Sequence, residues 1–478
     1  MAKVGMVSLG CPKNLVDSEV MLGLLAERGH ELTSRAEDAD ILIVNTCSFI
    51  EPAKRESIDA ILEMAKHKTS GRAKRLIVAG CLVERYRQEI LEQIPEVDFV
   101  IGTNELERVV EACAPGLSGR EAKGASAPYL YHEFTPRALS TPRFAAYIKI
   151  AEGCDHPCSF CVIPQMRGHF RSRRFESVVK EAEHLVRRGA REITLVGQDT
   201  TSYGQDLGLH DGLPLLLREL AKIPELVWLR FLYCYPNRLT PALIEAVAET
   251  PRVAKYFDIP LQHASGPILK AMRRGSNGAQ FLRMLGCIRA AIPDATLRTS
   301  MIVGFPGETD DDFRALMDFV EAAEFDHLGV FLYSNEETCA SHEFRCQVET
   351  RVARRRQREL MALQRKISRR KLSEKVGKVL PLLVEGRSQQ TELLFEGRLE
   401  SQAPGIDGQV YINEVRGEEP LPGEFRWVTI TQAGDYDLVA RLEAECFGEA
   451  RIPASSNCHQ LVQIQGSAAK QDDAVPYL

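Results

Sequence analysis

The sequence predicts an α/β protein in three parts: an N-terminal parallel sheet with helices on its faces, a partial barrel of six strand–helix units, and a C-terminal all-β barrel. Three observations predict it. Apolar strand patterns alternate with helical patterns up to about residue 113, and again from about 143 to 335, which is the order found in parallel sheets. Beyond residue 377, Gly and Pro separate short strands, as in a small β barrel.

Residues 1–113 are expected to form the N-terminal domain. Its helices are predicted near 15–28, 52–66 and 84–93, and its strands at 4–9, 40–45, 75–80 and 98–102. Residues 114–142 begin with a stretch rich in Gly, Ala, Ser and Pro that has no hydrophobic periodicity. We interpret them as a linker.

Residues 143–348 are expected to form the second domain. They contain six strand–helix units without a hairpin signal, which predicts parallel strands in an open barrel, short of the eight strands of a full TIM barrel. The predicted strands are 145–151, 192–197, 226–233, 256–261, 296–303 and 327–333. Ligands of such barrels bind at the carboxyl ends of the strands, so the site is expected there.

The C-terminal part contains three predicted segments. Residues 349–376 form a strongly basic helical pattern in which Leu360, Leu363 and Ile367 share one apolar stripe. Residues 377–442 are expected to form the β barrel, and residues 443–478 a polar tail.

The composition is that of a soluble, globular protein. The net charge of −6 argues against a protein that coats nucleic acid broadly. No apolar run is long enough for a membrane span, and the first residues lack the pattern of a signal peptide, so we expect a cytoplasmic protein without a membrane partner. Thirteen cysteines in a reducing compartment favour metal ligands, catalytic thiols or buried small residues over disulfides.

Cys154, Cys158 and Cys161 follow the first strand of the barrel with three and two intervening residues. Three small core residues are one interpretation, and zinc with His156 or His169 as fourth ligand is another. The spacing favours a third, a [4Fe-4S] cluster that is held by three thiolates. One iron then lacks a protein ligand and is open to a small molecule.

Cys11, Cys47 and Cys81 are far apart in sequence, but each lies just past the carboxyl end of a predicted strand. Because these ends converge at one edge of a parallel sheet, the three thiols are expected to lie together. A predicted helix follows each of them, and its first amides favour the thiolate. A second three-thiolate iron–sulfur site is the favoured interpretation, and a redox thiol group is the alternative.

The CxxxCxxC spacing, the aromatic ring of Phe160 before its last cysteine, and the barrel of six units together resemble the radical S-adenosylmethionine (SAM) superfamily. The resemblance implies that the open iron binds the amino and carboxylate groups of SAM and cleaves it to a 5′-deoxyadenosyl radical. It also implies SAM contacts at strand ends, which are Gly197 and Gln198 with Asp199, Gln262 with His263, and Gly304.

The motifs SLGCPKNLVDSE, IVNTCSFIEPAKRES, CDHPCSFC, LVGQDTTSYG, DIPLQHAS and MIVGFPGETDDDF resemble the methylthiotransferase family over about residues 3–441. The resemblance implies an N-terminal methylthiotransferase domain, a radical SAM core and a C-terminal TRAM module. It also implies two [4Fe-4S] clusters, with SAM as both radical source and methyl donor. The first motif, LGCPKN, resembles the subgroup that modifies the β-carbon of an aspartate in small-subunit ribosomal protein S-twelve.

This resemblance implies three partners: the ribosomal protein as substrate, an electron donor and a sulfur donor. Two other functions stay open at this point. A tRNA adenosine methylthiotransferase shares the chemistry, with the basic helix and the β barrel binding RNA. The barrel sequence is mixed in charge, however, which favours a basic protein as partner. A non-catalytic zinc protein that binds RNA is the other alternative.

Overall fold

The structure is a computed structural model that describes residues 1–114 and 128–447 together with Ile464. Much of the predicted linker (115–127) and of the predicted tail (448–463 and 465–478) lies outside the described residues.

The N-terminal domain is a five-stranded parallel sheet in the order β2-β1-β3-β4-β5. Its strands are β1 (Lys3–Ser8), β2 (Glu31–Thr33), β3 (Ile41–Thr46), β4 (Arg75–Gly80) and β5 (Phe99–Ile101). Its helices are α1 (Pro12–Glu27), α2 (Glu51–Thr69), α3 (Cys81–Gln93) and α4 (Val109–Ala112). The predicted parallel sheet is confirmed, and the short edge strand β2 is an addition that lacks a strong apolar pattern.

The core domain contains six parallel strands: β6 (Ala145–Lys149), β9 (Glu192–Val196), β10 (Trp228–Phe231), β11 (Tyr256–Asp258), β12 (Thr296–Val303) and β13 (His327–Leu332). They form two sheets of three, in the orders β10-β9-β6 and β11-β12-β13. The two sheets meet where Cys234 N donates to Asp258 O at 2.8 Å and Ala254 N to Leu229 O at 2.9 Å. The predicted partial barrel of six strands is confirmed.

The helices of the core follow the predicted alternation. They are α5 (Ile163–Arg167), α6 (Phe175–Arg187), α7 (Gly212–Leu220), α8 (Pro241–Glu249), α9 (Gly266–Ala271), α10 (Gly278–Ala291) and α11 (Asp310–Ala323). Two short strands, β7 (Ala151–Glu152) and β8 (Arg171–Ser172), form an antiparallel pair around the loop that carries Cys154. The sequence has no hairpin signal here, because the two strands are two residues long and are joined by a loop of eighteen residues, 153–170.

Helix α12 (Thr350–Ser373) connects the core to the C-terminal barrel. Its predicted apolar stripe packs on the core, since Leu360 and Ile367 are buried there and Leu363 is partly buried against the same residues. Gln364 is also buried and donates from Nε2 to Phe325 O at 2.9 Å. The basic residues of this helix therefore lie mainly on its outer face.

The C-terminal barrel is closed, in the order β14-β15-β16-β18-β17. Its strands are β14 (Val379–Arg387), β15 (Phe395–Leu399), β16 (Val410–Val415), β17 (Phe425–Ala433) and β18 (Leu438–Cys446). The predicted β barrel is confirmed. Strand β18 extends past residue 442, into the segment expected to be a polar tail, because it pairs with the full length of β17.

The second half of the predicted linker packs between the first two domains. Ala138 N donates to Glu19 O at 2.9 Å, and the buried Arg137 side chain reaches Glu19 at 2.6 Å and Glu181 at 2.7 Å. Residues 128–142 thus fix part of the interface. In the described part of the chain, no helix has both the length and the apolar character needed to cross a membrane.

Candidate active site

Cys11, Cys47 and Cys81 lie at the carboxyl ends of β1, β3 and β4, where the strand-end pattern predicts them. Gly10, with φ of +84°, brings two of their loops together, since a Cβ there would lie 3.0 Å from Cys47 Sγ. The pKa of the Cys47 thiol is raised to about 12, first by burial and then by the neighbouring thiols of Cys81 and Cys11. The structure therefore places three distant cysteines in one group, which we call the N-terminal triad.

Two buried asparagines connect the loops of this triad. Asn14 donates from Nδ2 to Leu9 O at 2.7 Å and to Thr46 O at 3.3 Å. Asn45 donates from Nδ2 to Asn14 O at 2.9 Å. Gly80 precedes Cys81 and approaches the same network, because a Cβ there would overlap Asn45 Oδ1. The hydrogen bonds and this close approach hold the three strand ends in a fixed arrangement.

Cys154, Cys158 and Cys161, which we call the core triad, lie on the loop between β7 and β8. Gly153 has a φ of +79°, and a Cβ there would lie 2.5 Å from Gly168 O, so the closing of this loop requires glycine. Cys154 N donates to Gly168 O at 3.1 Å, and Cys161 N to Cys158 O at 3.3 Å. Both triads thus lie at strand ends of their own domains.

Burial raises the pKa of several triad thiols. It raises the pKa of Cys154 to about 12 and also raises that of Cys161, where Cys158 contributes as well. Burial thus favours the protonated thiol at these positions. Iron binding removes the proton, because the thiolate is the ligand form.

A guanidinium donates to one thiol of each triad. Arg167 Nη2 lies 3.3 Å from Cys81 Sγ, and Arg274 Nη1 lies 3.7 Å from Cys158 Sγ. Burial raises the pKa of Cys81, and the charge of Arg167 partly offsets that effect. A positive charge beside the sulfur favours the thiolate that a metal needs.

The two histidines near the core triad have other partners. His156 Nε2 lies 2.7 Å from Asp199 Oδ2, and its ring stacks on Tyr235 with centroids 3.5 Å apart. The guanidinium of Arg274 lies 4.5 Å from the centroid of the same tyrosine ring. His169 points to solvent, with a side chain that is 98% exposed. This arrangement does not favour a zinc site completed by either histidine.

The donor set fits iron–sulfur clusters. Within the described ranges, no group of three or more His, Cys, Asp or Glu side chains is close enough together to hold a single metal ion. A four-iron cluster makes a different demand, because each thiolate binds a different iron of the cluster. Three free thiols that lie near one another meet that demand in both triads.

The predicted SAM contacts lie around the carboxyl ends of the core strands. Gly197 and Gln198 follow β9, Gln262 follows β11 with a φ of +74°, and Gly304 follows β12. Phe160 packs into the apolar cluster that includes the residue after Gly304. The structure brings these five residues to the same end of the barrel as the core triad, and their contact with SAM stays a prediction.

Gly304 has a structural reason of its own. Its φ is +80°, and a Cβ there would lie 2.5 Å from the Cβ of Ala353 on α12. Its amide donates to the buried carboxylate of Glu308, as does that of Phe305 at 3.1 Å. Glycine here thus permits the close approach of a helix, and the contact of Gly304 with SAM stays a prediction.

Several buried polar atoms near these strand ends have no hydrogen-bond partner. They are Gln198 Oε1, His263 Nε2 and Ser300 Oγ. Glu308 Oε1 also has no hydrogen bond, but it lies 3.5 Å from Arg356 Nη1 and 3.8 Å from His263 Nε2, so its charge is balanced. Buried groups without a hydrogen bond are costly, so a polar ligand is expected at the first three atoms. SAM carries amino, carboxylate and hydroxyl groups and fits that requirement.

Sequence reasoning missed the charged residues between the two triads. Asp17, Lys149, Glu152 and Arg167 form a buried cluster there, and Gln198 donates to Glu152 Oε1 at 2.8 Å. Two signals were present in the sequence. Asp17 lies at an interior position of α1 in the same motif as Cys11, and Arg167 follows Cys161 by six residues.

Three family profiles match this chain in succession. They are "Uncharacterized protein family UPF0004" at residues 3–102, "Radical SAM superfamily" at 148–320 and "TRAM domain" at 376–442. The second match indicates SAM and an iron–sulfur cluster as cofactors. It also agrees with the six-stranded barrel of the core.

The chain is 58% identical over 457 residues to "Ribosomal protein uS12 methylthiotransferase RimO" of Solibacter usitatus (strain Ellin6076), covering 95% of this chain and 97% of that protein. The chain belongs to the RimO family. The RimO of Koribacter versatilis (strain Ellin345) is 54% identical over 92% of this chain and 96% of its own length. The methylthiotransferase family and the transferase class that the motifs predict are confirmed.

A solved structure shares the fold of this RimO-family chain at low sequence identity. It is the radical SAM methyltransferase TsrM from Kitasatospora setae with cobalamin and a [4Fe-4S] cluster bound. The two superpose with a TM-score of 0.50 and 17% identity, over 69% of this chain and 74% of that one. At this identity the likeness concerns the fold alone.

Proposed function

We propose that this chain replaces a hydrogen on the β-carbon of an aspartate in ribosomal protein uS12 by a methylthio group. The protein substrate is the one named in its RimO relatives, such as those of Solibacter usitatus and Koribacter versatilis. The reaction needs SAM twice, once as radical source and once as methyl donor, together with an electron donor and a sulfur donor. We expect it in the cytoplasm, where ribosomal proteins are made.

The assignment of two [4Fe-4S] clusters is part of this proposal. The core triad, Cys154, Cys158 and Cys161, would hold the cluster that binds SAM. The N-terminal triad, Cys11, Cys47 and Cys81, would hold the cluster that carries the sulfur. When bound, these groups supply a 5′-deoxyadenosyl radical and the sulfur atom, because ordinary side chains cannot activate an aliphatic C–H bond.

The chain's own residues have binding and positioning roles in this scheme. Gln198 would accept from the amino group of SAM through its unpaired Oε1, while its amide is held by Glu152 at 2.8 Å. Asp199 holds the ring of His156, which fixes the loop between the first two ligands of the core triad. Arg167 and Arg274 each donate to one triad sulfur.

One observation carries the proposal. Each triad lies at the strand ends of its own domain, and the Arg167 side chain, which leaves the core-triad loop, contacts Cys81 of the other triad. A single radical cluster would not require this second group of thiols next to it. Two open clusters that face one interface are what radical formation combined with sulfur insertion requires.

Iron analysis of the anaerobically purified chain tests the cluster assignment. We expect about eight irons per chain, and about four when either triad is replaced by alanine. Cys113→Ala is the matched control, because Cys113 is also buried but belongs to neither triad, and it should leave the iron content unchanged. Colourless protein with one zinc per chain would instead support the zinc alternative.

Mass spectrometry of cells that lack this chain tests the substrate. Loss of the methylthio increment from uS12, with tRNA unchanged, supports the proposal, whereas loss from tRNA alone supports the tRNA alternative. In purified reactions, each modified uS12 should yield one 5′-deoxyadenosine and one S-adenosylhomocysteine. Replacing Cys11, Cys47 and Cys81 together should keep 5′-deoxyadenosine formation but abolish the modified product.

A further inference from the structure

The interface between the N-terminal domain and the core contains four buried charges. Arg167 Nη1 lies 2.6 Å from Asp17 Oδ2, Lys149 donates to Asp17 Oδ1, and Lys149 Nζ lies 2.5 Å from Glu152 Oε2. All four side chains are at most 4% exposed. Asp17 comes from α1 and the other three come from the core, so this charge cluster joins the two domains.

Arg167 connects the two triads through a short stretch of chain. It is the last residue of α5, which begins two residues after Cys161, and the next residue, Gly168, accepts from Cys154 N at 3.1 Å. Its backbone therefore belongs to the core-triad loop. Its side chain crosses the interface and reaches Cys81 Sγ at 3.3 Å.

The guanidinium suits this position better than an ammonium group. It donates to three different acceptors in the N-terminal domain: Asp17 Oδ2 at 2.6 Å, Asn14 Oδ1 at 3.2 Å and Cys81 Sγ at 3.3 Å. A planar fork with five donors serves three such acceptors at once, whereas lysine presents a single point charge. Asn14 also joins the loops of Cys11 and Cys47, so Arg167 contacts the structure that holds the entire N-terminal triad.

The charges of the cluster are balanced before Cys81 is counted. Two cations, Arg167 and Lys149, face two carboxylates, Asp17 and Glu152. A thiolate at Cys81 adds a negative charge, and Arg167 is the cation in contact with it. Hydrogen bonds and net charge at the sulfur ligands set the reduction potential of an iron–sulfur cluster.

We propose that Arg167 is a positioning residue that holds the two cluster sites in register and hydrogen-bonds the Cys81 ligand, and that it couples radical formation to sulfur insertion. This inference rests on the proposed function, since it requires a cluster on each triad. Removing Arg167 leaves the core triad with its three thiols and its Arg274 contact, so SAM cleavage continues. The N-terminal cluster loses a hydrogen bond, a nearby positive charge and its fixed position relative to the radical.

The experiment compares Arg167→Gln and Arg167→Lys with Arg137→Gln in the full-length chain that carries its clusters. Arg137 is a matched control, because it is also a buried arginine that pairs across the same interface, with Glu19 of α1 and Glu181 of α6, but contacts no triad cysteine. The amounts of 5′-deoxyadenosine and of methylthio-uS12 are measured in the same reaction. The potential of the N-terminal cluster is measured by redox titration with electron paramagnetic resonance, in chains whose core triad is replaced by alanine.

For Arg167→Gln we expect the ratio of methylthio product to 5′-deoxyadenosine to fall by about 10- to 100-fold, the usual effect of losing a residue that supports a metal ligand. The potential of the N-terminal cluster should become more negative. In Arg167→Lys this ratio should fall less than in Arg167→Gln. The lysine variant provides the test if Arg167→Gln fails to fold. Arg137→Gln should change neither the ratio nor the potential.

Two results would overturn the inference. One is an unchanged potential in both Arg167 variants, and the other is an equal loss of coupling in Arg137→Gln. Failure of the proposed function looks different, because the unmutated chain would then contain about four irons instead of about eight. The iron content of the unmutated chain therefore separates the two failures.

Discussion

A buried ion pair holds the C-terminal barrel on the core, and its removal gives a sharp test of how the domains are joined. Arg398 of β15 lies 2.6 Å from Glu192 Oε2 of β9, and both side chains are 1% exposed. The same guanidinium reaches Glu385 at 2.7 Å and Gln402 O at 3.1 Å. Arg398→Ala therefore leaves a buried carboxylate of the core without its closest partner.

The expected loss of stability follows from what remains around Glu192. Breaking a buried pair by removing one partner costs about 3–5 kcal/mol, because the other charge stays buried. Arg230 Nε still lies 3.2 Å from Glu192 Oε1 and compensates part of that charge, so we expect the low end, about 3 kcal/mol. At a urea slope of about 1–3 kcal/mol per molar, this lowers the unfolding midpoint by about 1–3 M.

Tryptophan fluorescence reports this contact directly. Of the two tryptophans, Trp228 is buried between the core and the barrel, with its ring centroid 4.8 Å from that of Phe425. In a Trp427→Phe background, the change in Trp228 fluorescence with urea gives the unfolding midpoint. Arg387→Ala is the control, because its pair with Glu419 is exposed and is worth about 1 kcal/mol or less. Equal midpoints for the two variants would refute the reasoning.

Three more outcomes are expected. The contribution of Arg398 to stability should be lost in acid. Burial raises the pKa of Glu192, but Arg398 and Arg230 more than offset this, so the pKa is lower in the folded chain than in the unfolded chain. The stabilisation is therefore present above the unfolded pKa and is lost as the pH falls through the folded pKa, where the urea midpoints of the parent and of Arg398→Ala should converge. Gly304→Ala should lower the free energy of thermal unfolding by about 1–3 kcal/mol. A second change, Ala353→Gly, should restore only the part of this loss that comes from the clash with Ala353, and not the part that comes from the positive φ. Gly153→Ala should remove about four irons per chain by iron analysis, whereas Gly208→Ala, which also has positive φ but open space around it, should remove none.

The sequence predicts the placement of the triads because strand ends are a local feature. Cys11, Cys47 and Cys81 each follow a run of apolar residues, and parallel strands bring such positions to one edge. The core triad is predicted still more simply, since its three residues lie within eight positions of one loop. Neither prediction needs knowledge of how the two domains face each other.

The interface contacts were not predictable in the same way. Arg167 and Asp17 are separated by 150 positions and lie in different domains, so no periodic pattern relates them. Gly304 shows the same limit from another side. Its missing side chain makes room for Ala353 of a helix that begins 46 residues later, and no local pattern indicates that contact.

The interface between the first two domains contains two groups of buried charges, and stability alone does not explain them. One cluster contains Asp17, Lys149, Glu152 and Arg167, and a second joins Glu19 to Glu181 through Arg137. Apolar residues of similar volume often give an equally stable or more stable contact, so buried ion pairs are weak evidence for stability.

The charge cluster around Arg167 does provide a fixed register. Apolar surfaces can slide past each other at small cost, whereas a shift of α1 against the core at this point would leave Asp17 buried and unpaired. In the proposed function, sulfur held at one triad is inserted at a carbon radical made by the other, and this requires a constant separation between them. We therefore interpret the contacts of Arg167 with Asp17 and Cys81 as the element that sets this distance, while the pair of Arg137 with Glu19 joins the domains without reaching either triad.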